Sequence, residues 1–160
     1  MDEFLQSLAV AAAYAGPPLA LLGAIGSSLG TAAAASAGLA VVAEDPTQRG
    51  RVMMLAALPM TQTFYGFIFM FLALLRLSAI PIEKITPSVG FLVLALGLVV
   101  GLIELFSAWY QGQVCRSAIT MLIKTRGAIA GMGMILAVYI ELFGILGMAF
   151  GIVALFTWVG

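Results

Sequence analysis

The chain has 160 residues, of which 63% are hydrophobic and only 9% are charged, with seven basic and seven acidic side chains. A soluble domain typically carries ~25% charged residues because its surface must be hydrated, so this composition excludes a soluble enzyme and a basic nucleic-acid binder. Histidine is absent and Cys115 is the single cysteine, which excludes zinc sites, Ser-His or Cys-His catalysis and disulfide scaffolds.

Most charged residues fall between apolar segments that are each long enough for a bilayer span of ~20 residues. In chain order, the predicted helices cover residues 17–43, 52–77, 88–123 and 127–158. We expect the first to begin at Pro17-Pro18, because proline is tolerated in the first turn of a helix. The sequence therefore predicts an all-α membrane protein with four transmembrane helices. Its parts are an N-terminal segment (1–16), a first helical hairpin (17–77), an outer linker (78–87) and a second hairpin (88–160).

Basic residues are concentrated on one side of the predicted bundle. Five of the seven Lys and Arg residues lie in or beside the two tight links Glu44–Arg51 and Lys124–Arg126. Because cytoplasmic loops carry an excess of Lys and Arg, both links are predicted to be cytoplasmic. Both termini are then expected on the outer, non-cytoplasmic side.

The chain resembles one helical hairpin written twice in tandem. Each half has a first helix rich in Gly and Ala, a charged turn, and a second helix with a polar side chain in its apolar interior. The Arg-Gly pairs of the two predicted turns, Arg49-Gly50 and Arg126-Gly127, are 77 residues apart, and the interior polar residues Gln62 and Glu141 are 79 apart. A parallel repeat of this kind crosses the membrane in the same sense in both halves. Chance similarity between apolar helices is the alternative.

A stripe of small residues follows one face of the first helix: Gly23, Gly26, Gly30, Ala34 and Gly38. Small residues let helix backbones approach closely in lipid, where apolar burial gives helices no reason to associate. The stripe favours a tightly packed inner layer of helices, as in a ring of hairpins.

Glu141 is the most informative residue. It lies 14 positions into the last predicted helix, roughly 20 Å along the axis at ~1.5 Å per residue. An intramembrane carboxylate costs about 3 kcal/mol even on lenient scales, so it is a functional-site hypothesis by default. A structural ion pair with Arg116 is the alternative.

Oxygen-bearing residues are predicted at the depth of Glu141 on two other helices. One face of the second helix carries a set at helical spacing: Leu58, Thr61, Gln62 and Tyr65. Pro59 has no N–H and can leave carbonyls free to act as ligands. Gln111 lies roughly 20 Å from the second cytoplasmic link. Hydroxyl, amide and carboxylate oxygens suit a hard cation, and one carboxylate balances one positive charge.

These residues resemble the proteolipid family, the four-helix membrane ring subunits of V-type and A-type rotary ATPases. The resemblance rests on the duplicated hairpin and on the segments Leu58-Pro59-Met60-Thr61-Gln62, Tyr65-Gly66, Ser107 with Gln111-Gly112, and 141–147. It implies a rotor subunit without catalytic residues or an organic cofactor, whose copies assemble into a homo-oligomeric ring surrounded by lipid. Helices one and three would lie inside, and the partners would be a membrane stator subunit and a central-stalk subunit at the cytoplasmic links.

The resemblance also implies an ion site. In sodium-translocating members, Na⁺ would bind Glu141, Gln62, Gln111, Thr61 and the Leu58 carbonyl, and Tyr65 would hydrogen-bond the carboxylate. Proton translocation is the alternative, because a proton site needs a carboxyl and little else. A small four-helix multidrug/H⁺ antiporter is the alternative from another class. It is expected to carry its acid on helix one, yet residues 4–43 contain no charge.

Some residues depart from the family pattern. Met60 and the pair Trp109-Tyr110 are bulkier than the pattern suggests. Glu104 precedes Gln111 by seven residues, so it lies on nearly the same helix face, roughly 10 Å nearer the outside. One interpretation is a carboxylic acid held neutral by burial, and the other is a second ion-handling acid.

Overall fold

A proline pair lies inside the first membrane helix and precedes a break in its α-helical hydrogen bonding, so it does not start the helix. In the computed structural model, which describes residues 3–159, helix α1 spans Glu3–Leu19 and helix α2 spans Leu22–Glu44. The two helices join end to end, because Ala20 N–H donates to Pro17 O and Leu21 N–H to Pro18 O. The predicted helix start at Pro17 is therefore wrong. The two prolines leave the carbonyls of Ala13 and Tyr14 without their usual helical donors, and the turn that follows the prolines has three-residue spacing. Positions 1–2 and 160, at the ends assigned to the outer side, lie outside the described residues.

The second membrane helix has four consecutive pieces: a 3₁₀ turn (Pro46–Gln48), α3 (Arg49–Ala57), a 3₁₀ turn (Leu58–Met60) and α4 (Thr61–Ser78). The predicted turn around Arg49-Gly50 is wrong, since both residues are helical and the link contracts to Asp45. The Asp45 carboxylate accepts from Thr47 N–H at 3.0 Å and from Gln48 Nε2 at 2.9 Å. Hydrogen bonds from Thr47 and Gln48 hold the pKa of this exposed carboxyl below its usual range.

The third and fourth membrane helices are α5 (Pro87–Thr120) and α6 (Ala130–Trp158). Helix α5 ends three residues before the predicted position 123, and α6 begins three residues after the predicted position 127, because turns occupy 121–129. Arg126 and Gly127 have φ angles of 51° and 84°, in the left-handed region where a helix cannot continue. Residues 79–86 link the two hairpins and include a 3₁₀ turn at Ile82–Lys84.

Four helical stretches are long and apolar enough to cross a membrane: Glu3–Glu44, Pro46–Ser78, Pro87–Thr120 and Ala130–Trp158. This confirms the predicted all-α membrane fold with four transmembrane helices. The first stretch has 42 residues, about twice the ~20 that a straight span requires.

Helices α2 and α5 touch through glycine. A β-carbon added at Gly26 would collide with the backbone of Leu105, and one at Gly30 would collide with Ala108 O. At Gly23, an added β-carbon would lie 2.7 Å from the Cβ of Glu104. Such a close approach is open only to a residue without a side chain. The small-residue stripe therefore forms the contact between the first and third membrane helices.

Two apolar clusters lie at opposite ends of the bundle and leave a layer between them. One contains Leu55, Ile119 and Leu122, and the other contains Phe69 and Leu155. Polar side chains from α4, α5 and α6 fill the layer between these clusters.

We predict that Gly30→Ala destabilises the bundle, because the new methyl would collide with Ala108 O and lie 2.9 Å from the Cβ of Pro59. Overpacking of this kind typically costs about 1–3 kcal/mol. Gly50→Ala is the control, since nothing lies within 4 Å of its added carbon. Thermal unfolding of the detergent-solubilised chain should show a lower midpoint for Gly30→Ala and an unchanged or higher one for Gly50→Ala. Equal midpoints would contradict the close α2–α5 contact.

Candidate functional site

Polar side chains that are almost fully buried meet in the central layer. Gln62 of α4 and both Glu104 and Gln111 of α5 are 0% exposed, and Glu141 of α6 is 9% exposed. Helical spacing explains the set on α5, since positions seven apart return to nearly the same face. Each of these side chains must find its partners inside the protein.

The Glu141 carboxylate accepts one hydrogen bond at each oxygen. Tyr65 Oη donates to Oε1 at 2.8 Å, and Gln111 Nε2 donates to Oε2 at 3.2 Å. The first donor comes from α4 and the second from α5. The carboxylate is therefore fixed from two helices at once.

The hydrogen bonds continue from Gln111 toward the break in the second membrane helix. Gln62 Nε2 donates to Gln111 Oε1 at 2.8 Å, and Thr61 Oγ1 lies 3.2 Å from Gln62 Oε1. The Thr61 hydroxyl also lies 3.2 Å from the Leu58 carbonyl oxygen. One chain of hydrogen bonds thus joins all the residues assigned to the ion site from sequence, with Tyr65 at its other end.

The Leu58 carbonyl is not free, although Pro59 was expected to release carbonyls nearby. It accepts from the backbone N–H of Thr61, which closes the 3₁₀ turn, and it also faces the Thr61 hydroxyl. The proline removes the donor that would otherwise reach the carbonyl of Leu55, four residues earlier. Leu58 O can face a cation only if the Thr61 hydroxyl turns its hydrogen away.

Ser107 belongs to this network and was not among the site residues assigned from sequence. Its Oγ accepts from Gln62 Nε2 at 3.1 Å and donates to Ile140 O at 3.0 Å, so it ties α4 to α6 through α5. The available signal was its spacing, four residues before Gln111 on the same helical face.

Glu104 is the exception in the layer. Neither of its carboxyl oxygens has a hydrogen-bond partner among residues 3–159. A β-carbon at Gly144 would lie 2.7 Å from its Oε2 and 3.1 Å from Ser107 Oγ. The carboxyl therefore fills the space left by a glycine of α6, one helical turn along from Glu141.

Arg116 is not the partner of Glu141. It lines a groove together with Glu44, the last residue of α2. The carboxylate of Glu141 is instead surrounded by neutral donors. A single carboxylate among amide and hydroxyl groups is suited to one monovalent cation or one proton.

Comparison with known proteins identifies a matching family model and two relatives. The family model for the C subunit of ATP synthase matches residues 15–73 and 94–154, once in each hairpin. The V-type sodium ATPase subunit K of Enterococcus hirae is 32% identical over 123 residues, which are 77% of this chain and 76% of that protein. The A-type ATP synthase subunit K of Methanocaldococcus jannaschii is 33% identical over 151 residues, which are 94% of this chain and 64% of that protein.

We predict that Gln62→Leu destabilises the bundle by about 1–3 kcal/mol, because Gln111 Oε1 and Ser107 Oγ each lose a buried donor. Gln113→Leu is the matched control, since the Gln113 side chain is half-buried and makes no hydrogen bond among residues 3–159. Thermal unfolding in detergent measures both. The network would carry no stability if the two variants unfolded at the same temperature.

Proposed function

This chain belongs to the family of ATP synthase C subunits, and we propose that it is the rotor-ring subunit of a V/A-type rotary ATPase. In this role it is not catalytic. It carries Na⁺ across the membrane on Glu141 as the ring turns against a stator subunit. The observation that carries the proposal is the hydrogen-bond chain from Tyr65 through Glu141 to Thr61, which lies in the layer between the two apolar clusters.

Copies of the chain would assemble side by side, with the first and third membrane helices inside and the second and fourth outside. The direct glycine contact between α2 and α5 supports this order, because only closely spaced backbones can form a narrow inner layer. Lipid would cover the outer helices. The cytoplasmic links at Asp45 and 121–129 would dock a central-stalk subunit, with both termini on the outer side. This orientation rests on the positive-inside rule.

Transport follows from the charge of one carboxylate. An empty, ionised Glu141 is costly to expose to lipid, whereas a bound cation makes the site neutral. A loaded site can therefore rotate through lipid, and an emptied one must stay opposite a polar surface. A cationic side chain of the stator would help to displace the ion. Tyr65 and Gln111 hold the carboxylate from two helices, so it keeps its position when the ion leaves.

Sodium is favoured over the proton by the number of oxygen atoms near the carboxylate. Thr61, Gln62, Gln111 and the Leu58 carbonyl all lie in one hydrogen-bonded set with Glu141. A proton needs none of these additional ligands. The name of the Enterococcus hirae relative specifies sodium and that of the Methanocaldococcus jannaschii relative specifies no ion. Proton translocation by the same rotor is the alternative.

A small multidrug/H⁺ antiporter is less well supported. Its acid is expected on the first membrane helix, but the stretch Glu3–Glu44 carries acidic residues only at its two ends, Glu3 and Glu44. Helix α2 instead carries the glycines that contact α5.

Carbodiimide labelling tests the ion assignment. We expect a hydrophobic carbodiimide to label Glu141 and Na⁺ to slow the reaction, because a bound cation occupies the carboxylate. K⁺ at the same concentration should not protect, and Glu141→Gln should remove the labelled peptide. Labelling of Glu141 that does not respond to Na⁺ would reject sodium and favour the proton. Native mass spectrometry that finds only dimers would reject the rotor.

Glu104 carries a separate proposal. We infer that it is held neutral inside the bundle, because neither oxygen has a partner among residues 3–159 to stabilise a charge. The alternative is a second ion-handling acid, which would raise the number of ions per copy.

Glu104→Gln distinguishes these two roles, since the amide has nearly the same size as the carboxyl but has no negative charge to balance a cation. In the whole ATPase, we expect Glu104→Gln to leave the ratio of transported ions to hydrolysed ATP unchanged. Glu141→Gln, the control, should abolish transport. A lower ratio in Glu104→Gln would establish the second acid.

A further inference from the structure

Two grooves lie on opposite sides of the chain. The first, about 340 Å³, lies between α2 and α4 and is lined by small and hydroxyl-bearing residues including Ala24, Ser27, Ser28 and Thr31. The second, about 420 Å³, lies between α5 and α6 and is lined by large residues including Phe106, Tyr110 and Phe143. Gly30 faces α5, and Ser27, Thr31 and Ser28 lie ~60°, ~100° and ~160° around the helix from it at ~100° per residue, so the first groove opens to the side of α2 and not toward α5. Phe106 and Tyr110 each lie ~160° around α5 from Ala108, which faces Gly30, so the second groove faces away from α2.

The first groove contains two buried hydroxyl groups without partners. Ser27 Oγ and Thr31 Oγ1 are both buried and form no hydrogen bond with any described residue. Ser27 is only 5% exposed. In a hydrocarbon environment, a hydroxyl without a partner is unfavourable. These groups therefore indicate that a hydrogen-bonding partner from another molecule covers this side of the chain.

The second groove is bordered by three stacked aromatic rings on α5. The ring centroids of Trp109 and Tyr110 are 5.8 Å apart, and those of Phe106 and Tyr110 are 6.5 Å apart. Tyr110 is 57% exposed, and its hydroxyl has no hydrogen bond among residues 3–159. It precedes the buried Gln111, so it lies in the central layer and not at a membrane interface, where tyrosine is normally enriched.

The two sets of unpartnered hydroxyls lie at the same depth. Gly26 packs against Leu105, Gly23 lies beside Glu104, and Gly30 lies between Ala108 and Gly112, so a residue of α2 is level with the residues 78 to 82 positions later on α5. Thr31 therefore lies within one helical turn of the depth of Tyr110, and Ser27 within one turn of the depth of Phe106. A rotation about the membrane normal preserves depth. In a ring, Tyr110 of one copy would thus reach the next copy at the level of Thr31.

We propose that the aromatic ridge of one copy (Phe106, Trp109 and Tyr110) packs into the α2–α4 groove of the next copy, where the Tyr110 hydroxyl hydrogen-bonds Thr31. The occupant of the groove is a second copy of this chain, and the inference rests on the rotor-ring function proposed above. The contact is head-to-tail, so it closes into a ring when the rotation allows. Large side chains fill the space left by small ones. Successive copies are joined by aromatic packing, whereas α2 and α5 within one chain are joined by glycine.

Disulfide cross-linking tests the placement. In a Cys115→Ala background, the pair Ser28→Cys and Phe106→Cys should give a ladder of covalent multimers on mild oxidation, because the two residues meet only between copies. Ser28→Cys with Leu142→Cys is the control, since Leu142 lines neither groove and is 50% exposed on α6. An intact ring by native mass spectrometry without a ladder would overturn this interface but not the rotor. A chain that never forms a ring would overturn both.

A double-mutant cycle tests the hydrogen bond itself. Tyr110→Phe and Thr31→Val each remove one hydroxyl with little change in shape, and each should lower the temperature at which the ring dissociates in SDS. The ring of the double variant should dissociate at no lower a temperature than the ring of the less stable single variant, since both changes break the same contact. Thr157→Val is the control, because Thr157 Oγ1 donates to Val153 O of its own helix at 2.9 Å. Additive effects, or no effect from Tyr110→Phe, would overturn the Tyr110–Thr31 contact.

Discussion

A carboxylate in the middle of a membrane bundle has no water to bind, and this constraint accounts for the arrangement around Glu141. The chain contains no histidine and places its basic residues elsewhere, so the carboxylate has to be held by neutral donors. Tyr65 and Gln111 supply one donor to each oxygen, and Gln62 in turn orients Gln111. Because these donors carry no charge, they position the carboxylate without neutralising it. In the function proposed above, that charge is balanced by the transported cation.

That network depends on helices that lie unusually close together. The side chains of Gln62 and Gln111 can meet only if α4 and α5 approach, and α2 has to fit beside both. Gly23 and Gly30 permit this, since any side chain at either position would strike a neighbouring helix. Gly144 has the same effect on α6, where it makes room for the Glu104 carboxyl and Ser107 Oγ. The glycines thus determine which polar groups can share the central layer.

The fold class, the grouping of Thr61, Gln62, Gln111 and Glu141 in one layer and the close packing along the small-residue stripe could be predicted from sequence, because hydrophobic length, helical spacing and small-residue stripes are local patterns. The helix ends could not. The chain continues as helix past Pro17 and Pro18 because one turn of three-residue spacing joins α1 to α2, and Arg49-Gly50 is helical because Asp45 caps the turn before it. These outcomes depend on side-chain geometry at single positions. Ser107 was left out of the predicted site although it lies four residues before Gln111, because that spacing alone does not show that its hydroxyl bonds Gln62 and Ile140.

The duplicated hairpin explains why the network contains an amide from one hairpin and a carboxylate from the other. Gln62 occupies the position in the first hairpin that Glu141 occupies in the second, 79 residues later. A carboxylate at position 62 could not donate to Gln111 and Ser107, as the Gln62 amide does. The Gln62 amide therefore makes the first hairpin part of the hydrogen-bond network around Glu141 of the second hairpin, and in the proposed function the single charge of Glu141 is balanced by one cation. Glu104 differs from Glu141, because it is a second carboxyl in the same layer and no donor among residues 3–159 hydrogen-bonds to it. Because we propose that Glu104 is neutral, Glu141 is left as the one charged carboxyl of this layer among residues 3–159.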